Sequence, residues 1–239
     1  MNKAMFELEK KLLEDGYEII IGIDEAGRGP LAGPVVACAA ALKIADAAFL
    51  LGHPMSKWIR DSKMLSEKQR EGLYDFICEN FHVGIGICDH KTIDRINIME
   101  ANFLAMKKAI ASLMRVISNS QFLISNQAPS SKFQNTKYII LVDGNKKIPN
   151  FSMEQRAIIS GDKIVKSISA ASIIAKVTRD RIMREIHDKY PEYQFDRHKG
   201  YGTKLHMDSL QKYGPCEIHR KSFAPVRKLL PLEATRKKV

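Results

Sequence analysis

The chain alternates short apolar segments with amphipathic ones, and this pattern predicts the order of its strands and helices. Residues 2–14 have the spacing of a short amphipathic helix. Apolar segments at 17–24 and 33–43 predict two strands, and the short link between them favours an antiparallel hairpin. Two more apolar segments, at 81–88 and 138–142, predict further strands.

Apolar residues recur at helical spacing in three longer segments. The helix predicted at 66–79 begins at Ser66, and Gln69 stands three residues later, which is the pattern of a capping box. Segments 98–117 and 169–190 carry apolar residues every three or four positions, so each predicts a long helix with one buried side.

The order of these elements predicts one α/β domain. Strands come first, then alternate with helices, and helices dominate the end, which is typical of a mixed sheet covered by helices. A Ser- and Asn-rich stretch at 118–136 is interpreted as an exposed excursion and not as a domain boundary. The sequence thus predicts a single domain over residues 1–239, with a basic helical C-terminal region from about residue 190.

Composition narrows the class of protein. A length of 239 residues with 45% hydrophobic composition is enough for a full core. No apolar run approaches the roughly 18 residues of a membrane span, and the N-terminal residues lack the apolar core of a signal peptide, so we expect a cytoplasmic protein. The cysteines include no Cys-x-x-Cys pair, which gives no support to a disulfide scaffold or a zinc site. Three of them lie in apolar segments and are predicted to be buried: Cys38, Cys78 and Cys88.

Positive charge is concentrated in the last third of the chain. The net charge is +11, and residues 156–239 hold 19 Lys and Arg against 9 Asp and Glu, whereas residues 1–155 hold 19 against 18. Clustered positive charge attracts a polyanion, which favours nucleic acid as the partner. A basic surface that only aids solubility explains the composition equally well.

Carboxylates stand where the predicted strands end. Asp24 and Glu25 end the first strand, Asp143 follows the strand at 138–142, and Asp162 stands shortly before the last long helix. Strand ends of such a sheet lie side by side, so we expect Asp24 and Asp143 to meet at one edge. Because neighbouring strand residues point to opposite faces, Asp24 and Glu25 can converge only if the strand ends or distorts between them.

Clustered carboxylates need a compensating cation. Oxygen ligands without cysteine or paired histidine favour Mg²⁺ or Mn²⁺, and two such ions would support phosphodiester cleavage. Taken alone, Asp143 and Gly144 fit a turn better than a metal site. Asp180 is an alternative fourth ligand, although Lys176 and Arg184 are placed to form i,i+4 ion pairs with it.

Two loops carry residues suited to contact with nucleic acid. Arg28 lies between Gly27 and Gly29, and its position beside the acids favours a phosphate contact. Tyr201 lies between glycines in a basic loop and is able to lie flat against a sugar or base. A basic loop before a helix capped by Thr203 explains this segment equally well. Three nearby histidines are expected at the surface and receive no role: His198, His206 and His219.

Six motifs, in this order, resemble the ribonuclease HII family of type 2 ribonucleases H. They are GIDEAGRGPLAGPVV near the start, DSKMLSEKQRE at 61–71, LVDGN at 141–145, ISAASIIAKVTRDR at 168–181, HKGYGTKLH at 198–206 and HRKSFAPVR at 219–227. The set spans about residues 18–230 and is far more specific than any single motif. The chain departs from the family at two places. Members commonly carry proline at the position of Lys166, and the excursion at 118–136 is longer than usual.

The resemblance implies a ribonuclease H-like fold, a mixed sheet flanked by helices, with a tetrad of catalytic and metal-binding carboxylates: Asp24, Glu25, Asp143 and Asp162. Asp162 is preferred to Asp180 because the family's fourth acid stands seven positions before the first serine of its Ser-Ala-Ala-Ser motif, here Ser169. The implied cofactor is Mn²⁺ or Mg²⁺, in a two-metal mechanism.

The resemblance also implies an activity and a substrate. That activity is endonucleolytic cleavage of RNA in RNA/DNA hybrids and on the 5′ side of single ribonucleotides in duplex DNA, leaving 3′-hydroxyl and 5′-phosphate ends. Gly27, Arg28 and Gly29 would read the 2′-hydroxyl, and Tyr201 would stack on the sugar at the RNA-to-DNA junction. No membrane and no obligatory protein partner is evident in the sequence.

Other functions remain open at this point. The ribonuclease HIII family shares the acidic core but usually has an added N-terminal domain and lacks the junction tyrosine, so Tyr201 argues against it. Another two-metal nuclease on the same fold would not need ribose in its substrate. A non-catalytic nucleic-acid-binding protein would carry these acids for structural reasons alone.

Overall fold

The computed structural model describes residues 7–43, 53–60, 62–125 and 136–231, and a five-stranded mixed sheet forms its centre. The strands are β1 (Ile19–Ala26), β2 (Val35–Leu42), β3 (Phe81–Cys88), β4 (Tyr138–Asp143) and β5 (Gln155–Ile158). Their order across the sheet is β3-β2-β1-β4-β5. β2 pairs antiparallel with both β1 and β3, whereas β4 pairs parallel with β1 and β5. The predicted mixed sheet and hairpin are confirmed.

Helices cover both faces of the sheet and form the C-terminal region. They are α1 (Glu7–Glu14), α2 (Glu67–Asn80), α3 (His90–Ser125), α4 (Gly161–Ile164), α5 (Lys166–Lys189), α6 (Phe195–His198), α7 (Lys204–Tyr213) and α8 (Ala224–Arg227). Short 3-10 helices occur at Pro54–Trp58, Ser62–Met64 and Pro191–Tyr193. No helix in the ranges that the structure describes is long and apolar enough to cross a membrane.

The two long helices α3 and α5 cover opposite faces of the sheet. Both faces of β2 are apolar, so each face packs against one of these helices. Ala37 and Ala39 pack in the core beneath α3, whereas Cys38 and Ala40 pack in the core beneath α5. The alternation of side chains along a strand produces this division. The sheet is therefore buried on both faces, and its strand ends are where charged groups can be placed.

A glycine on β1 lets α5 approach the sheet closely. A Cβ atom on Gly22 would lie 2.2 Å from the backbone nitrogen of Ile168, so any other residue would push the helix away. Gly22 stands two residues before Asp24 on the same face of β1. The close approach brings the first turns of α5 against the face that carries this acid.

The first strand extends further than predicted. β1 runs to Ala26 and not to Asp24, and it stays in register with β2 through the pair Ala26 and Val36. Pairing with β4, in contrast, ends at Ile23. β1 therefore neither ends nor distorts between Asp24 and Glu25, and their side chains lie on opposite faces of the strand, while the neighbouring strand β4 ends beside them.

Other boundaries also differ from the predictions. α3 runs over His90–Ser125 and not 98–117, because Asn97, at φ 67°, joins two helical parts; its side-chain oxygen accepts hydrogen bonds from the amides of Met99 and Glu100 and caps the second part. Residues 118–125 are thus helical, which corrects the first part of the predicted excursion, and 126–135 lie outside the described residues.

Smaller differences concern the remaining elements. Residues 2–6 of the first predicted helix lie outside the described part of the chain, and α5 begins three residues before Ser169. The short strand β5 was not predicted, because four residues give too little periodicity. The capping box of Ser66 and Gln69 is confirmed. Among the cysteines, Cys38 and Cys88 are buried as predicted, but Cys78 is exposed, so its prediction was wrong.

Candidate active site

The middle of the sheet brings three of the predicted acids to one cleft. Asp24 and Glu25 are on β1, and Asp143 is the last residue of the parallel neighbour β4. All three line a cleft of about 310 Å³ at the ends of these strands. The predicted meeting of Asp24 and Asp143 at one sheet edge is confirmed.

Asp24 is buried, and two hydrogen bonds hold its side chain. Its side chain accepts a hydrogen bond from the amide of Glu25 at 2.7 Å and another from the hydroxyl of Ser172 on α5. Asp24 is only 6% exposed. Burial, followed by the negative charges of Glu25 and Asp143, raises the pKa of Asp24 well above its usual range. A cation in the cleft would favour the ionised form.

Glu25 points to the other face of β1, toward α3. Its carboxylate forms an ion pair with Arg28 at 3.0 Å and accepts a hydrogen bond from Asn102 of α3. Burial raises the pKa of Glu25, although the hydrogen bond and charge of Arg28 lower it in part. The guanidinium predicted to contact phosphate therefore lies against a carboxylate in this structure.

Asp162 lies beside Asp143 but outside the lining of the cleft. Its backbone amide donates to the Asp143 carboxylate at 3.3 Å, and its own carboxylate lies 3.5 Å from the ammonium of Lys63. The position is fixed from below because the Ser169 hydroxyl donates to the Asp162 carbonyl at 2.7 Å. The alternative ligand Asp180 instead pairs with Lys176 at 2.7 Å, which confirms its predicted i,i+4 ion pair.

The donor set suits a hard cation in its chemistry. The groups are carboxylate oxygens. Burial first, and then the charges of Glu25 and Asp143, raise the pKa of Asp24, and a divalent ion would relieve the repulsion among these charges. Within the residues that the structure describes, no three His, Cys, Asp or Glu side chains form a ready ligand cluster. The carboxylates Asp24, Glu25 and Asp143 therefore share a cleft without forming a closed coordination shell.

The loop after the acids turns on a glycine that no other residue can replace without strain. Gly27 has φ 98°, and a Cβ atom there would lie 2.1 Å from Nε of the Arg179 side chain. The buried guanidinium of Arg220 lies beneath the same loop and donates to the carbonyls of Gly27 at 2.6 Å and Arg28 at 3.0 Å. These contacts fix the backbone of the loop beside the cleft.

Tyr201 also lines the cleft and is 43% exposed. Its ring lies beside Gly29, where a Cβ atom would be 3.8 Å from the ring edge. Lys176 and Arg179 of α5 lie below the ring, with Nζ and Cζ at 5.9 and 5.8 Å from its centroid. The open face of the ring is therefore available, as the sequence predicts for a stacking residue.

The three histidines near Tyr201 are buried, so the expectation that they lie at the surface was wrong. His198 and His206 stack with ring centroids 4.5 Å apart, and His206 contacts His219. His206 Nδ1 lies 3.0 Å from the Tyr201 carbonyl, and the amide of Gly200 donates to His198 at 3.2 Å. These histidines form the base of the loop that presents Tyr201. Burial lowers the pKa of all three, to about 4 for His206 and about 3 for His219.

One face of α5 contacts several parts of the site. The residues on this face are spaced by three or four positions. Lys166 contacts the 3-10 helix Pro54–Trp58, Ser169 contacts Asp162, and Ser172 contacts Asp24. Further along, Lys176 lines the cleft, and Arg179 contacts the loop before β2. This spacing places them on one side of a helix. α5 is thus the element that sets the relative positions of the site residues.

Three residues at the site received no role in the sequence interpretation: Lys63, Ser172 and Arg220. Each falls inside one of the six motifs quoted above, which was the available signal. Their spacing alone gives no reason to single them out, because a lone Lys or Ser in a loop or helix is usually solvated.

Comparison with known proteins matches one family. The sequence profile of the family described as Ribonuclease HII matches residues 21–226. A ribonuclease HII from Caldicellulosiruptor bescii is 49% identical over 219 residues, which are 91% of this chain and 92% of that protein.

Two solved structures share the fold. The ribonuclease H2 of Pyrococcus horikoshii OT3 superposes with a TM-score of 0.61 at 26% identity, covering 88% of this chain and 96% of that one. The Bst-RNase HIII structure in complex with Mn²⁺ has a TM-score of 0.56 at 19% identity, covering 88% of this chain and 68% of that one. The predicted ribonuclease H-like architecture is confirmed.

Proposed function

Because this chain belongs to the ribonuclease HII family and is a ribonuclease H, we propose that it is a divalent-metal-dependent endonuclease. It cuts the RNA strand of RNA/DNA hybrids, and it cuts duplex DNA on the 5′ side of a single embedded ribonucleotide, leaving 3′-hydroxyl and 5′-phosphate ends. The observation that carries this proposal is the shared cleft of Asp24, Glu25 and Asp143 with the loop Gly27–Gly29 and Tyr201. Groups for chemistry and for recognition face the same volume.

The residues proposed to hold the metal are Asp24, Glu25, Asp143 and Asp162. A pair of Mg²⁺ or Mn²⁺ ions would supply an activated water and stabilise the leaving oxygen. Asp24 and Asp143 both line the cleft, and Ser172 orients the Asp24 carboxylate from α5. Asp162 lies beside Asp143, outside the cleft lining, and the side chain of Lys63 that pairs with it is 81% exposed and has room to move away.

The loop Gly27–Gly29 and Tyr201 are proposed to recognise the substrate. The loop backbone is fixed by Arg220 from below, so its amides present a constant surface to a ribose. A 2′-hydroxyl is the group that separates ribose from deoxyribose, and backbone groups can bond it without a side chain. Tyr201, whose ring lies beside Gly29 in the same cleft, would contact the next sugar with its open ring face.

Cleavage of three duplexes of one sequence tests the proposal. They are all-DNA, DNA with one ribonucleotide, and an RNA/DNA hybrid, each in EDTA, Mg²⁺ and Mn²⁺. We expect cleavage of the second and third with metal only, with a 3′-hydroxyl left on the 5′ side of the ribonucleotide. Cleavage of all-DNA would indicate a nuclease without ribose recognition, and binding without cleavage under every condition would indicate a non-catalytic protein.

A further inference from the structure

One exposed aromatic side chain stands close in sequence to the cleft but outside the site described above. Trp58 ends the 3-10 helix Pro54–Trp58, and Ser62 and Lys63, four and five residues later, line the cleft. Trp58 is 38% exposed and belongs to none of the hydrophobic clusters of the described residues. An exposed indole four residues from a cleft-lining serine is available for contact with a ligand that extends beyond the cleft.

Two cations flank the ring of Trp58. Lys57 Nζ lies 5.6 Å and Arg60 Cζ 5.2 Å from the ring centroid. We call these three residues, Lys57, Trp58 and Arg60, the basic platform. Nucleic-acid sites combine a flat ring that contacts sugars or bases with cations that pair with phosphates. An apolar protein partner would instead find charged groups on either side of the ring.

A buried lysine fixes the platform to α5. The ammonium of Lys166 donates to the carbonyl of Ser56 at 2.5 Å and to that of Ile59 at 2.7 Å, on either side of Trp58. Ile59 itself is buried in the core beneath α5. The backbone that carries the ring is therefore held at both ends, which lowers the entropy lost when a ligand binds.

A second cation fixes the adjoining segment. The guanidinium of Arg70 donates to the carbonyls of Ser62 at 3.0 Å and Leu65 at 2.5 Å. The Ser62 hydroxyl also lies 2.9 Å from the hydroxyl of Ser172, the residue that bonds Asp24. The platform and the acids thus share one rigid frame, so a duplex that reached both would meet a fixed geometry.

We propose that the basic platform binds the sugar-phosphate backbone of the substrate duplex next to the cleavage position. The Trp58 ring packs against a sugar, and Lys57 and Arg60 pair with the phosphates on either side of it. This contact needs no 2′-hydroxyl, so it adds affinity for any duplex. The proposal rests on the proposed function, because it takes a nucleic-acid duplex as the occupant of the cleft.

The intrinsic fluorescence of the protein tests the contact directly, because Trp58 is the only tryptophan in the chain. In EDTA, where cleavage is excluded, we expect a dye-labelled duplex with one ribonucleotide to change the indole emission. The duplex concentration at the midpoint of this emission change should agree with the midpoint of binding measured by the anisotropy of the same duplex. Binding seen by anisotropy without any change in emission would overturn the proposal.

Steady-state cleavage with Mg²⁺ gives an independent measurement. We expect Trp58→Ala to raise KM roughly tenfold with little change in kcat, since stacking contributes to binding, and Trp58→Phe to recover most of the loss. Ile87→Ala, which removes another exposed apolar side chain on β3, is the matched control. An unchanged KM for Trp58→Ala would overturn the proposal.

Salt dependence tests the two cations of the platform. Lys57→Gln and Arg60→Gln should each reduce the slope of log affinity against log salt by about one. Lys10→Gln removes the same charge from the exposed face of α1 and should leave the slope unchanged. If the wild type fails to cut DNA with one ribonucleotide, the proposed function fails, yet the emission and salt measurements still decide whether the platform binds a duplex.

Discussion

The imidazoles of His206 and His219 meet Nε2 to Nε2 at 3.0 Å, so one ring must donate and the other accept. His206 Nδ1 faces the Tyr201 carbonyl and therefore carries its proton, which leaves Nε2 as the acceptor. His219 then donates from Nε2, and its Nδ1 accepts from the amide of Cys216 at 3.0 Å. Both rings are neutral in this chain of hydrogen bonds, which ends on the backbone of Tyr201.

This arrangement predicts acid-sensitive stability. The folded pKa values of about 4 for His206 and about 3 for His219 lie below the ordinary value of 6.5. The unfolded chain therefore takes up protons from pH 6.5 downward while the folded chain does not. We expect each histidine to lower the free energy of unfolding by about 1.4 kcal/mol per pH unit below 6.5. Urea unfolding at pH 7.5, 6 and 5 measures this fall in the free energy of unfolding.

The variant His219→Gln separates this effect from general acid denaturation. It keeps a donor near the Nε2 position but cannot titrate, so the loss between pH 6 and 5 should shrink by about 1.4 kcal/mol relative to the wild type. A loss in His219→Gln equal to that of the wild type would contradict the neutral pair.

Tyr201→Ala is expected to reduce cleavage at a single ribonucleotide by roughly 10- to 100-fold in kcat/KM, because ring stacking at the junction sugar is lost. Cleavage of an all-RNA hybrid should fall far less, since such a substrate needs no junction contact. Tyr213→Ala, at another exposed tyrosine, serves as the control. An equal loss on both substrates would show that Tyr201 is structural.

Asp24→Asn is expected to abolish metal-dependent cleavage, by about two orders of magnitude or more, while the fold becomes more stable in EDTA. The folded pKa of Asp24 is raised, so its ionisation disfavours the folded state at pH 8 and the neutral amide removes that penalty. Activity and urea unfolding of one preparation measure both effects. Asp208→Asn, at an exposed acid, controls for charge. Near-normal cleavage by Asp24→Asn would remove it from the metal site.

Lys166→Met is expected to destabilise the protein by about 2 kcal/mol at pH 7, because two buried carbonyls lose their donor. Burial lowers the pKa of Lys166 to about 8, so the wild type gains stability as the pH rises from about 8 toward 10.5, where the unfolded lysine still binds a proton. The difference between wild type and variant should thus widen by about 1–3 kcal/mol between pH 7.5 and 10. A difference that stays constant over this range would show that burial does not lower the pKa of Lys166.

Local patterns predicted the elements that make regular, repeated contacts. β3 and β4 bury alternate or continuous apolar residues, and α2 begins with a complete capping box, so their predicted positions agree with the structure. The polar end of α3 was misread because its residues favour loops, and helix there depends on continuation from the packed part.

The site was less accessible to sequence reasoning than the strands. The acids were found because charges beside a buried strand are costly without a partner. Arg220 was not identified, because its contacts with the carbonyls of Gly27 and Arg28 join positions about 190 residues apart in the sequence. The buried histidines were assigned to the surface because composition does not reveal that three imidazoles satisfy one another.

The single face of α5 that contacts several parts of the site has a consequence for how this protein can vary. One residue inserted between Ser172 and Lys176 would rotate the remainder of the helix by about 100° and advance it by about 1.5 Å. The acids and the 3-10 segment would keep their helical partners, while Lys176 and Arg179 would turn away from Tyr201 and the glycine loop. Variation in chain length is therefore expected in the connections, and a family of active enzymes must keep the residue count of this helix constant.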